Sequence, residues 1–213
     1  MLSYRDVMGT SGDIQALRKL WHVGMMLFMA YLYAFVYPER ETALLLIALI
    51  GGPVILLDIL RLKWRPLNRL VASVFGPLMR KRELGTVSSM AYFVFAFFLV
   101  VALFPKPVAI LSILCLAFGD AAACVIGLRF GTESIIKGKS LQGSLACFVV
   151  CSVLIFVVLT LYGVTSNALP YMSVAGGLAA TFAELFSTKQ MDDNLTIPIA
   201  TAIVIYPLLL LFH

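Results

Sequence analysis

Apolar runs of membrane-crossing length recur from one end of the chain to the other, broken by short stretches of charge, proline and glycine. Read with a window suited to a lipid span, this pattern predicts seven helices, at about 21–37, 42–60, 87–104, 108–128, 144–162, 169–187 and 195–212. The predicted fold class is all-α: a polytopic membrane protein with about seven transmembrane helices. Its domain plan is an N-terminal segment, 1–20, followed by one transmembrane domain, 21–213, with no room left for a separate globular unit.

Composition agrees with that pattern. Of 213 residues, 62% are hydrophobic and 13% charged, against about a quarter charged in soluble domains, and mean hydropathy is +1.00. A soluble domain, a nucleic-acid binder, a disulfide scaffold and a disordered chain are excluded. Cys115, Cys124, Cys147 and Cys151 lie inside apolar runs without metal-ligand spacing, as small core residues do. The N-terminus, MLSYRDVMGTSGDIQALRKLW, is too polar for a cleavable signal, so the first span is expected to do the targeting.

The net charge of +5 is read first as topology. Lysines and arginines number three before the first span, seven in the 61–86 loop, three in 129–143 and one in 188–194, fourteen in all. The connectors on the other side hold Arg40 and Lys106 alone. This asymmetry predicts a cytoplasmic N-terminus and three cytoplasmic polar loops. The same division collects the remaining polar residues on that face: Arg18, Lys19 and His22 at span one, Asp58 at span two, Glu83 and Thr86 before span three, Glu184 ending span six, and Asp192, Asp193 and Asn194 before span seven. A transporter carries polar groups through to both sides, often in repeated halves, and no internal repeat is visible. One-sided chemistry points to an enzyme acting on a lipid with a cytosolic co-substrate.

Three segments carry candidate chemistry. Asp120 lies in LCLAFGDAAACVIGLRFG, where an isolated carboxylate costs roughly 2.5–3.5 kcal/mol on insertion scales and marks a polar cavity, a charged partner or an ion. Gly119, Ala123, Gly127 and Gly131 repeat every four residues around it, a stripe that serves close helix packing or close approach of a ligand. Next, Lys137, Gly138, Lys139, Ser140 and Gly143 precede span five and offer an anion the free N–H groups of a helix start, without the spacing of a nucleotide P-loop. Positive-inside lysines alone give the same letters. In AELFSTKQMDDNLTIP, Asp193 or Asn194 can cap the last helix, with Pro198 in its first turn, but capping needs only one of Glu184, Asp192, Asp193 and Asn194. Asp120, Glu184, Asp192 and Asp193 are therefore candidate ligands for Mg²⁺ bridging to nucleotide phosphates. Arg80, Lys81 and Arg82 are expected to meet anionic lipid head groups.

These segments resemble a known family. GDAAACVIGLRFG followed by KSLQGS is similar to the D-x-x-A-x-x-x-G-x-x-x-G … K-[ST]-x-E-G signature of the CTP-dependent lipid-alcohol kinases, which include dolichol kinase, phytol kinase and yeast-type diacylglycerol kinase. LRKLWHVG resembles their R-K-x-x-H opening, RELGTVSSMAYF their third-span entry, and AELFSTKQMDDNLTIP their E-x-x-S … D-N-x-T-x-P close. The chain departs where Gln142 stands for the signature's glutamate and in the Ser88, Ser89 and Met90 that precede Tyr92. The resemblance implies transfer of the γ-phosphoryl of CTP to a lipid hydroxyl, with Mg²⁺ as cofactor. Carried residue by residue, it puts Asp120, Lys139, Arg18 and Lys19 in catalysis. Ser140, Gly143, Gly127, Gly131, Asn194 and His22 fall at the nucleotide, and Asp120, Glu184, Asp192 and Asp193 at the metal. The partners it implies are a nucleoside triphosphate and a membrane lipid alcohol. The alternatives are a phosphatidate cytidylyltransferase-like synthesis of a CDP-lipid, from a related family, and a non-enzymatic small membrane transporter.

Overall fold

The computed structural model describes residues 11–37, 39–132, 134–136, 139–187 and 192–212, with side chains from Lys19 onward except that of Lys81. Among the described residues, eight helices make the framework. Helix α1 covers Ser11–Tyr31 and runs on through a π-helical turn, Leu32–Val36. Helix α2, Arg40–Lys63, contains a second π-helical turn at Ile47–Gly51. Helices α3, Arg65–Phe75, and α4, Ser89–Leu103, follow. Helix α5, Lys106–Phe130, contains a third π-helical turn, Cys115–Gly119, which ends against Asp120. Helices α6, α7 and α8 are Leu141–Leu161, Leu169–Phe186 and Asp193–Phe212.

Six of these, α1, α2, α5, α6, α7 and α8, are long and apolar enough to cross a membrane, which makes this an integral membrane protein. The third predicted span, 87–104, is shorter than its apolar run implied. Ser88 caps α4 by accepting from the Ala91 N–H, and Pro105 cannot continue it, so α4 keeps 15 residues. At 1.5 Å per residue that is about 22 Å, against a hydrocarbon core of about 30 Å. Two connectors read as loops have structure of their own. Ser134–Ile136 pairs antiparallel with Lys139–Ser140, a minor strand element in an otherwise helical fold. Helix α3 buries none of its residues and exposes Leu70, Val74 and Phe75, the pattern of a helix lying in a lipid interface.

Helix α6 packs along both α5 and α7, α7 along α8, and α8 against α4 and α5. Val100, Leu111, Leu116, Ile155, Met172 and Ile205 form the centre. Small residues set the helix spacing: a Cβ on Gly176 would meet the δ-methyls of Ile155 and Ile205, each at 2.6 Å. Cys115, Cys147 and Cys151 are buried and free, as core thiols, while Cys124 is half-buried. Phe28, Leu49, Val149 and Phe182 face outward, the apolar exterior that lipid requires.

One buried guanidinium fixes the segment between α3 and α4. Arg61 donates to Asp58 Oδ1 at 2.6 Å, Asn68 Oδ1 at 3.0 Å, Glu83 O at 2.8 Å and Thr86 O at 3.0 Å. Asp58 accepts in turn from the Ser88 N–H at 2.8 Å. The α2 terminus thereby holds the turn that leads from Arg80 to α4.

Candidate active site

At one end of the bundle a cavity of about 290 Å³ lies among α1, α5, α6, α7 and α8. Three cations, Lys19, Arg80 and Lys139, and three carboxylates, Asp120, Glu184 and Asp193, line it. Helical periodicity explains the wall from α5: Asp120, Cys124 and Gly127 recur at steps of four and three, so they share one face. On α6, Gly143 and Ser144 in the first turn line the cavity beside Ser140, the residue just before the helix.

The charges are arranged in pairs. Lys19 Nζ contacts Asp120 Oδ2. Lys139 Nζ lies 2.6 Å from Glu184 Oε1, also contacts the Glu184 carbonyl, and reaches Ser187 Oγ at 3.0 Å. Arg80 spans Asp192 and Asp193 at 3.5 Å each, and Arg82 Nη2 donates to Asp192 Oδ2 at 2.5 Å. Burial opposes the Arg80 charge, but Asp193 and Asp192 outweigh it and hold the guanidinium above its ordinary pKa. Burial and the adjacent Asp193 carboxylate push Asp192 above the usual carboxylate range. Two buried polar atoms on the cavity wall, Glu184 Oε2 and Ser144 Oγ, have no hydrogen-bond partner among the described residues. A buried oxygen left unpaired costs about 1–3 kcal/mol, so these two mark where a polar ligand would be favoured.

The structure sorts the predicted residues. Lys19, Asp120, Gly127, Lys139, Ser140, Gly143, Glu184 and Asp193 line the cavity. Ser140 spends its hydroxyl as the α6 cap, accepting from the Gly143 N–H at 3.2 Å. Gly143 and Gly127 serve packing as well, since a Cβ on Gly143 would sit 2.6 Å from the Ala123 carbonyl and one on Gly127 2.9 Å from Ser140 Oγ. Gly131 packs against Ser140 without reaching the cavity. Asp192 and Asn194 lie behind the wall. At the start of α8 both acids accept from the Asn194 N–H, Asp192 Oδ1 at 3.2 Å and Asp193 Oδ1 at 3.1 Å, and Asp192 Oδ1 also accepts from the Asn194 side-chain amide at 2.6 Å. His22 is off the lining but within electrostatic reach of Lys19, Arg80, Glu83 and Asp120. The Arg18 side chain and residues Lys137 and Gly138 lie outside the described residues.

Other findings depart from the sequence reading. Arg80 and Arg82, expected at lipid head groups, pair with the Asp192–Asp193 carboxylates, because the Arg61 cluster turns their segment inward. Gln142, at the signature's glutamate position, faces away from the cavity and clasps the start of the loop: its Nε2 donates to Thr132 Oγ1 at 2.7 Å and its Oε1 accepts from the Thr132 N–H at 3.2 Å. Sequence reasoning missed Ser144 and Cys124, although each lies four residues from a named site residue. It also missed Ser89, whose hydroxyl donates to Glu83 Oε1 at 2.6 Å and reaches Asp192 at 3.4 Å. Among the described residues no three His, Cys, Asp or Glu side chains gather closely enough to hold a metal by themselves.

Fold and cavity together define a class: a polytopic helical membrane protein with paired cations and carboxylates concentrated at one end of its bundle. No family model and no solved structure matches the chain. It is similar to the CTP-dependent diacylglycerol kinase 1 of Schizosaccharomyces pombe, 31% identical over 159 residues that cover 70% of this chain and 73% of that one. It is 32% identical over 212 residues to the protein of the same name from Eremothecium gossypii, covering 90% of this chain and 66% of the other. A probable chloroplastic phytol kinase 1 of Glycine max is 29% identical over 110 residues, covering 47% of this chain and 36% of that protein. The chain belongs to the family of CTP-dependent lipid kinases that contains these diacylglycerol and phytol kinases.

Proposed function

We propose that the protein is a membrane lipid kinase that transfers the γ-phosphoryl group of CTP to the hydroxyl of a lipid alcohol, of the diacylglycerol or the phytol and polyprenol type. The observation that carries this reading is the cavity itself, lined by three cations and three carboxylates, where Glu184 Oε2 and Ser144 Oγ are buried without a hydrogen-bond partner among the described residues. Phosphoryl transfer asks mostly for positioning and charge neutralisation, and this wall supplies both signs of charge. In this scheme Lys19, Arg80 and Lys139 turn from their carboxylate partners toward phosphate oxygens. The lipid oxygen bonds to the γ-phosphorus as the bond to the β–γ bridging oxygen breaks, CDP leaves, and the hydroxyl gives its proton to Asp120 or to water. Asp120 orients that hydroxyl or holds metal, and either role needs its charge.

The donor set fits Mg²⁺. Glu184 presents an unpartnered oxygen, and Asp120 and Asp193 line the same space. The ion commonly takes one or two protein carboxylates and completes its shell with phosphate oxygens and water, so a preformed three-carboxylate cage is not required. When bound it would spread the β- and γ-phosphate charge. Asp192 fits support better than ligation, since Arg82, Asn194 and Ser89 already occupy it. The fourteen-to-two division of Lys and Arg supports placing this end of the bundle at the cytoplasmic face.

The rival within reach of the same cavity is synthesis of a CDP-lipid from a phosphorylated lipid. Purified protein in detergent, given CTP or ATP, Mg²⁺ and a panel of diacylglycerol, phytol, polyprenol and phosphatidate, separates the two. Phosphorylated lipid with CDP is the expected outcome. Pyrophosphate with a CDP-lipid formed from phosphatidate supports the rival, and no nucleotide turnover with any of these lipids overturns both.

A further inference from the structure

A second cavity, of about 510 Å³, runs between α1, α2 and α4. Its lining is apolar apart from the hydroxyls of Tyr33 and Tyr37, with a buried floor at Tyr33, Phe93 and Phe97 and an exposed rim at Phe28 and Ile50. Two of the three π-helical turns line it, Leu32 and Tyr33 coming from the first and Ile47, Ile50 and Gly51 from the second. Such turns replace regular helix packing and recur at functional sites.

The groove has two unlike ends. At one, Met25 lies one turn beyond His22 and two beyond Lys19, and Met90 follows Ser89, which reaches Glu83 and Asp192. At the other, Lys106 lies over the Tyr33 ring, 5.4 Å from its centroid, and donates to the Ala34 carbonyl at 3.0 Å, while Arg40 donates to the Phe104 carbonyl at 2.8 Å. From Met25 to Tyr37 the lining follows α1 for about 18 Å at 1.5 Å per residue, a little more than half of a hydrocarbon core of about 30 Å.

We propose that this groove holds one hydrocarbon tail of the lipid alcohol, with the hydroxyl end toward the charged cavity, and that its closed end at Tyr33, Tyr37 and Lys106 limits the tail to about one leaflet in depth. The proposal rests on the lipid-kinase reading and narrows it: tails of acyl or phytyl length fit, and long polyprenols do not. A diacylglycerol places one chain in the groove and leaves the other in the bilayer.

Two measurements test it. In nanodiscs, a lipid alcohol with a diazirine at its tail end is photolysed on the wild-type protein and the labelled peptides are mapped. Label at Tyr33, Ala43 or Phe97, displaced by unlabelled alcohol, is expected whether or not the protein turns over. Label confined to outward positions such as Leu45 or Leu49 overturns the groove. In the turnover arm, kcat/KM is followed along a series of alcohols of one head group and increasing tail length. Ala43, buried at the closed end, is changed in Ala43→Phe, and Leu45→Phe, 64% exposed and off the lining, is the control. Ala43→Phe is expected to cut kcat/KM for the longest accepted tail by about tenfold and spare short tails, as filling a packed cavity does. Equal losses at every length, or equal losses in both variants, overturn the length limit. Label in the groove without turnover of any alcohol would retain the groove and reject the kinase reading, so the two fail separately.

Discussion

Replacing Arg61 by methionine should loosen the segment that carries Arg80 and Arg82. The guanidinium is 1% exposed and donates to one carboxylate, one amide oxygen and two backbone carbonyls. Methionine keeps most of the stem but leaves the Asp58 carboxylate, 6% exposed, with the Ser88 N–H as its remaining donor among the described residues. Deleting one partner of a buried ion pair costs about 3–5 kcal/mol, and the two stranded carbonyls belong within that figure, because bonds sharing one donor do not add. In a chain of this size each kcal/mol is about 2–4 °C, so Tm should fall by about 6–20 °C. The protein carries its own reporter once the half-buried Cys124 is replaced by alanine in both proteins, since Cys115, Cys147 and Cys151 are buried and meet a thiol-reactive fluorophore only on unfolding. KM for CTP should rise in the same variant as Arg80 loses its support. Adding Asp58→Leu removes the uncompensated charge and should recover about 2 kcal/mol against the sum of the single changes. A fall in Tm below about 3 °C with an additive double variant would refute the reasoning.

Three further outcomes follow from the same geometry. Lys139→Ala should raise KM for CTP by about 10- to 100-fold, the loss of a charged hydrogen bond worth about 1.5–3 kcal/mol, whereas Arg129→Ala, exposed and off the cavity lining, should change it less than about threefold; initial rates at varied CTP decide. Gly143→Val should force α5 and α6 apart, because its side chain meets the Ala123 carbonyl, lowering both Tm and nucleotide turnover by an amount matching about 1–3 kcal/mol of overpacking. With α4 crossing as a seventh, shorter span beside the six long ones, tags at the two termini, probed in intact cells, should be accessible at the C-terminus alone; both ends on one side would contradict seven crossings, and an N-terminus reached from outside would contradict the proposed orientation.

The spans were legible because lipid imposes length and hydropathy together, and α5 was legible with its anomalous Asp120 because a lone carboxylate stands out against an apolar run. The cavity wall from Asp120 to Gly127 and from Lys139 to Gly143 followed from helical period and loop composition. What the letters did not disclose depends on long-range pairing. Arg80 and Arg82 read as ordinary topology-setting charges until the Arg61 cluster turns them toward Asp192 and Asp193. Gln142 has the position of a site residue but spends its amide on Thr132. The π-helical turns carry no composition of their own; each is an insertion accommodated by packing, and two of them shape the apolar groove. Helix α3 was hidden in a loop because its period is amphipathic at too short a length to register as a span.

In the proposed function the charged cavity around Asp120 carries out phosphoryl transfer from CTP. CTP labelled at the γ-phosphate, incubated with purified protein, Mg²⁺ and a diacylglycerol, should place label in the lipid product and release unlabelled CDP. Asp120→Asn keeps the side chain's shape and removes its charge, so it should abolish that transfer while its thermal unfolding stays within a few degrees of wild type. Label released as pyrophosphate, or near-wild-type transfer by a well-folded Asp120→Asn protein, would contradict the account.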